Sequence, residues 1–89
     1  MVNEERLIAL FRELCFIDAP ALQERQSVDF GKRLLTEIGL EVYEDEAGQA
    51  IGGNAGNLIA TLKGNVPGAP RIYFSAHFDT VEPTAGLEI

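Results

Sequence analysis

The stretch Ile72-Tyr73-Phe74-Ser75-Ala76-His77-Phe78-Asp79-Thr80-Val81-Glu82-Pro83, IYFSAHFDTVEP, holds the only histidine of the 89-residue chain. Arg71 to Ala76 is a near-continuous apolar run of strand length, the pattern of a strand covered on both faces. A histidine and an aspartate two residues apart follow it at once. In strand geometry residues i and i+2 point to the same side, roughly 6–7 Å apart, so His77 and Asp79 share one side and Phe78 takes the other. In open α/β sheets ligand sites gather beyond the carboxyl ends of the strands, which is where this pair falls.

Upstream, Leu7, Leu10, Phe11 and Leu14 recur at the spacing of one helix face, with Ile8 and Cys15 widening the stripe, which predicts a helix from Asn3 to about Ile17. Asn3 suits the N-cap, and Glu4 and Glu5 fall where the helix dipole favours negative charge. Asp18-Ala19-Pro20 breaks that pattern, and the proline suits the opening of a second helix running to about Ile38. The apolar side of this helix is Val28, Gly31, Leu35 and Ile38, flanked by Phe30 and Leu34. Gly39 stands where a left-handed residue closes a helix, and Gly31 leaves room for another element to approach. Phe11, Phe16 and Phe30 read as core residues.

Leu40 to Glu44 alternates as a half-exposed strand does. Asp45 to Gly56, DEAGQAIGGNAG, reads as a long, turn-rich and hairpin-like connection. Asn57 to Lys63 is a second strand candidate, ended by the turn formers of Gly64 to Pro70. The predicted order is two N-terminal helices followed by three strands, an α/β arrangement. No internal repeat, low-complexity tract or domain linker interrupts it. The last strand reads as a buried one with no helix after it to cover its second face, so residues 1–89 are expected to form an incomplete part of a single domain.

Composition narrows the function classes. With 46% apolar and 24% charged residues the chain is of the folded, globular kind. A chain this short buries only roughly 60–65% of the surface its unfolded form exposes. Fourteen acidic against seven basic residues give a net charge of −7, which disfavours nucleic acid and anionic membrane surfaces as partners. Cys15, the single cysteine, allows no intrachain disulfide and reads as a buried, reduced thiol, for which a cytoplasmic setting fits best. The N-terminus lacks the features of a signal peptide, and no apolar run is long enough to span a bilayer. Apolar helix faces and an uncovered strand predict self-association into a homo-oligomer or poor solubility.

On chemistry, a neutral imidazole is a good zinc ligand, and a carboxylate accepting its other N–H fixes the tautomer and raises its basicity. His77 as metal ligand with Asp79 behind it is therefore the sharp reading of the pair. From spacing alone the plainer one, a histidine at a strand end and an aspartate opening a turn with Thr80, is favoured, because a metal site needs more ligands. The glycines of Gly48 to Gly56 fit neither a phosphate loop nor a dinucleotide fingerprint. Glu44-Asp45-Glu46 lacks the alternating spacing of a calcium loop and reads as a solvated run. Cys15 has no local activator that would make it a nucleophile.

The pattern around the pair shifts that balance. FSAHFDTVEP resembles the S-x-H-x-D-T-V-x-P signature of the dinuclear zinc aminopeptidase and deacylase superfamily. GGNAGNLIATLKG resembles the G-N-x-x-A segment that precedes it there, and looks closest to the peptidase T-like, or tripeptidase, branch. Helices, G-L-E-V strand, G-N segment and histidine strand occur in the same order, so the resemblance covers essentially the whole chain and implies the first part of a catalytic domain with a mixed sheet covered by helices. It implies that His77 is a metal ligand and that Asp79 is the catalytic-site carboxylate orienting it. It also implies two zinc ions in the whole enzyme, short peptides as substrates, and metal-assisted amide hydrolysis with a glutamate as base. N-acyl amino acid deacylation within the same superfamily, and a non-catalytic module that folds with a partner chain, are the alternatives.

The sequence also departs from that pattern. Asp18 to Glu24 lacks the glycine and hydroxyl residues of the family's loop between the first two helices. The family's bridging aspartate, glutamate base, further carboxylate and second histidine all follow the equivalent of Ile89. With one of the ligands that a catalytic zinc requires, the 89 residues alone are expected to be inactive.

Overall fold

The structure, a computed structural model, describes residues 2–81, 84, 86 and 88. Its elements run α1 (Glu4–Phe16), α2 (Arg25–Glu37), β1 (Glu41–Glu44), α3 (Ala47–Ala50) and β2 (Leu58–Thr61). The strands pair antiparallel, Glu41 opposite Thr61 and Glu44 opposite Leu58. The class is mixed α/β, as expected.

Alternation along the strands decides where the helix sits. Val42 and Glu44 on β1, with Leu58 and Ala60 on β2, are half-buried, while Glu41, Tyr43, Ile59 and Thr61 face outward and are exposed. α2 packs against both strands. Ser27, Val28 and Gly31 are its buried residues. Gly31, in the middle of the helix, costs about 1 kcal/mol relative to alanine. Close approach accounts for it, because a Cβ built there would lie 2.8 Å from Phe78 Cζ and 3.3 Å from Leu58 Cδ2. The room that Gly31 was expected to leave is taken by Phe78. Gly39 adopts φ +100° immediately after the helix, also as expected.

α1 forms as its pattern predicts, with the Asn3 side chain accepting from the Arg6 N–H at 3.0 Å. It carries no buried residue, and Leu7, Ile8, Phe11 and Phe16 are each more than half exposed. Phe11 and Phe16 are therefore not core residues; the amphipathic period is present, but along it only Leu10, Leu14 and Cys15 are half-buried and none is fully covered. Phe30 is half-buried, with the Arg33 guanidinium 5.6 Å from its ring centroid. Cys15 is half-buried rather than buried.

Three further expectations are corrected. The second helix begins at Arg25, not near Pro20. Leu22 at φ 69° breaks the helical path, and the first free N–H of α2, that of Arg25, is capped from a distance by Asn54 Oδ1 at 3.0 Å. The Asp45–Gly56 connection is hairpin-like, yet holds the short helix α3.

The third correction concerns Arg71 to Ala76, which form no strand. The sheet has two antiparallel strands among the described residues instead of three. Among the described residues no main-chain hydrogen bond joins positions 71–79 to β2. Ile72, Tyr73 and Phe74 are 76%, 82% and 96% exposed. An apolar run reports a preference for burial, whereas a strand also needs a neighbour to exchange hydrogen bonds with, and the run has neither cover nor pairing here. Glu82 and Pro83, the end of the quoted motif, lie outside the described residues, as do Leu87 and Ile89.

Among the described residues only Ala19, Ser27 and Val28 among the larger-than-glycine side chains are almost wholly enclosed, at 1–2% exposure. The radius of gyration, 14.9 Å, exceeds the roughly 12 Å of a compact domain of this length. Amide hydrogen exchange is expected to be slowest in α2 and the β1–β2 pair and markedly faster in α1, because local opening is least costly where least is buried. Equal protection in α1 and α2 would contradict the packing described.

Candidate functional site

His77 and Asp79 lie together, with His77 Nδ1 3.1 Å from Asp79 Oδ1 and 2.9 Å from the Asp79 main-chain oxygen. Two acceptors crowd Nδ1. Nδ1 is thus placed to donate to them, and in the neutral ring with its proton on Nδ1 the Nε2 lone pair is free. The His77 side chain is 84% exposed, so Nε2 is open to a ligand from solvent. A neutral imidazole so placed could take a metal ion at Nε2.

The segment is mounted on the rest of the chain at three points. Phe78, between the two polar residues, turns the opposite way and seats its ring over Gly31. The Thr80 N–H donates to the Ala19 carbonyl at 2.8 Å, in a parallel bridge pairing Pro20 with Thr80. At Thr84 the main-chain N–H donates to Asp18 Oδ1 at 2.7 Å and the hydroxyl to the Ile17 carbonyl at 3.0 Å. The connection between α1 and α2 is thus the floor on which the histidine segment rests. Periodicity gave no hint of this role for Asp18 and Ala19, because the bonds use main-chain groups and one short side chain across more than sixty residues.

A polar clamp holds the frame beneath. Arg25 donates to both Glu44 oxygens, through Nη1 to Oε2 at 2.8 Å and Nη2 to Oε1 at 2.5 Å. It also donates to Asp29 Oδ1 through Nε and Nη2. Glu44 further accepts the Gly56 N–H at 3.0 Å. Its side chain is 15% exposed. The Arg25 hydrogen bonds, then that of Gly56, hold its carboxyl down to about 2, outweighing the desolvation that would raise it. Arg25 is correspondingly raised by Glu44 and then Asp29. Asp45 accepts from the N–H groups of Ala47 and Asn57 and from the Asn57 amide, which lower its pKa. Of the acidic run Glu46 is exposed, as expected, whereas Asp45 and above all Glu44 are bonded to the protein's own donors rather than left to solvent. Its pairing with Arg25 could not be read from neighbouring letters, since the partner is nineteen positions away.

For zinc the fit is partial. His77 with Asp79 supplies one well-oriented ligand, whereas a catalytic zinc takes three from protein. Among the described residues no group of three or more His, Cys, Asp or Glu side chains converges. No helix among them is long and apolar enough to cross a membrane.

Comparison with known proteins adds a relative with the same sequence plan. The uncharacterized protein YqjE of Bacillus subtilis (strain 168) is 42% identical over 88 residues, covering 99% of this chain and 24% of that protein. The chain thus spans about a quarter of the length of the curated relative it matches. No family model and no solved structure matches.

Stability should follow the Glu44 carboxyl. Its folded pKa lies below the ordinary 4.5, so its contribution is complete above about pH 4.5 and is lost as pH falls toward 2. Glu44→Gln is expected to destabilise the chain at pH 7 by about 1–2 kcal/mol, the charged hydrogen bonds being discounted for the partial exposure of Arg25. It should also flatten the fall in urea midpoint between pH 5 and pH 3. An unchanged midpoint at pH 7 would show that the clamp contributes nothing.

Proposed function

We propose that this chain is the N-terminal segment of a metal-dependent hydrolase of the peptidase T-like kind, cleaving the amide bonds of short peptides. The observation that carries the reading is the His77–Asp79 contact, which leaves Nε2 bare and outward-facing within a motif resembling the zinc-peptidase signature. In this reading His77 binds a zinc ion through Nε2, and Asp79 holds the ring and strengthens it as a donor. Zinc, when bound in such an enzyme, polarises the scissile carbonyl and lowers the pKa of water. The remaining ligands and the general base belong to sequence outside these 89 residues. The coverage of the Bacillus relative, about a quarter of its length, leaves room for them.

The test is made on the natural gene product purified from its own cells, by zinc content and by hydrolysis of unmodified tripeptides. His77→Ala is expected to lower zinc content and abolish hydrolysis. Asp79→Ala should retain the fold and lose roughly 10–100-fold in zinc affinity or turnover. Wild-type zinc content and turnover in the His77 variant would overturn the proposal. Cleavage of N-acyl amino acids with no action on tripeptides would replace peptidase by deacylase.

A further inference from the structure

We propose that Gly31, on α2, is a positioning residue for His77, acting through Phe78. The proposal deepens the reading of His77 as a metal ligand and rests on it for its functional meaning, although its geometry stands independently.

The imidazole has little else to hold it. At 84% exposure it makes no enclosing contact, and its polar partners among the described residues, the Asp79 carboxylate and main-chain oxygen, belong to the same short segment. An exposed ring on an extended segment keeps one orientation only if the main chain beneath it is fixed. Phe78 supplies that fixing. Its ring is half-buried against Gly31, and a Cβ built on Gly31 would stand 2.8 Å from Cζ and 3.2 Å from Cε1 of the ring. Ordinary contact for such atoms begins near 3.4 Å, so the ring occupies space that any other residue at position 31 would take. With Phe78 seated on the helix, the main chain is anchored between the two residues whose groups meet, His77 Nδ1 and the Asp79 oxygens. The Thr80 N–H bond to Ala19 then fixes where the segment leaves. A glycine in a helix interior weakens that helix; here the missing side chain selects the tautomer of a histidine on another segment.

Because His77 is the only histidine, nitrogen-15 NMR of the full chain reads its tautomer without ambiguity. Wild type is expected to carry the proton mainly on Nδ1, the reverse of free histidine. Gly31→Ala should push the ring aside and return the signal to the free-histidine pattern. In Gly31→Ala/Phe78→Leu, where the smaller side chain yields to the added methyl, the Nδ1–H form should recover. Should Gly31→Ala lose its helical circular dichroism, Phe78→Ala, which adds no atoms, takes its place and is expected to release the tautomer in the same way. An Nδ1–H preference in wild type that persists in the folded Gly31→Ala or in Phe78→Ala would overturn the proposal, as would a wild-type signal already like that of free histidine. The two ideas fail separately: unchanged zinc content in the His77→Ala form of the natural gene product counts against His77 as a ligand and leaves the tautomer result standing.

Discussion

The fork of Arg25 on Glu44 is the constraint on which the rest of the structure depends. Glu44 ends the inward face of β1, where an unpaired carboxylate would be costly to desolvate. Arg25 opens α2, so the pair ties the start of the helix to the end of the strand. The dependence runs both ways. A two-stranded pair is marginal in isolation and needs a helix across it. The helix in turn takes its N-terminal cap from Asn54, in the loop that joins the two strands. Gly56 donates to Glu44 from the same loop. Helix, strand and loop each complete polar groups of the others, and none of the three is satisfied alone.

From this frame the path to the histidine is short. The β1–β2 pair places Leu58 beside Gly31, and the same glycine receives Phe78. The α1–α2 connection takes up Thr80 and Thr84. His77 and Asp79 are left on the outer side, bonded to each other and open to solvent. What is built here is an exposed imidazole held against a carboxylate rather than an enclosed cavity.

Legibility in the sequence followed the range of the interactions. Local signals were read well: the Asn3 cap, the period of α1, the left-handed Gly39 and the alternation of β1 all depend on residues a few positions apart. His77 and Asp79 do lie together, although the strand geometry from which their shared side was argued is not formed. The start of α2 was misplaced because Asn54, not Pro20, sets it, and a cap arriving from twenty-nine residues away leaves no local mark. The strand at Arg71–Ala76 was misread because hydrophobicity encodes a demand for cover and says nothing about whether cover and pairing are met. The same gap explains α1, whose stripe is correct and whose face is only partly covered. Asp18, Ala19, Glu44 and Asn57 were missed as organising residues because their partners are main-chain groups or distant charges.

The long reach of the threonine bonds bears on the order in which the chain assembles. Thr80 and Thr84 meet partners 61 to 67 positions earlier, so their bonds close loops that span most of the molecule. Such closures carry an entropic cost that grows with loop length and are formed after shorter-range contacts. During synthesis the helix and strand frame has all its parts once Thr61 has emerged, whereas the contacts of the histidine segment wait for Thr80 and Thr84. Of the contacts within residues 1–89, those that seat the histidine are therefore the later ones, and they close onto a scaffold already standing.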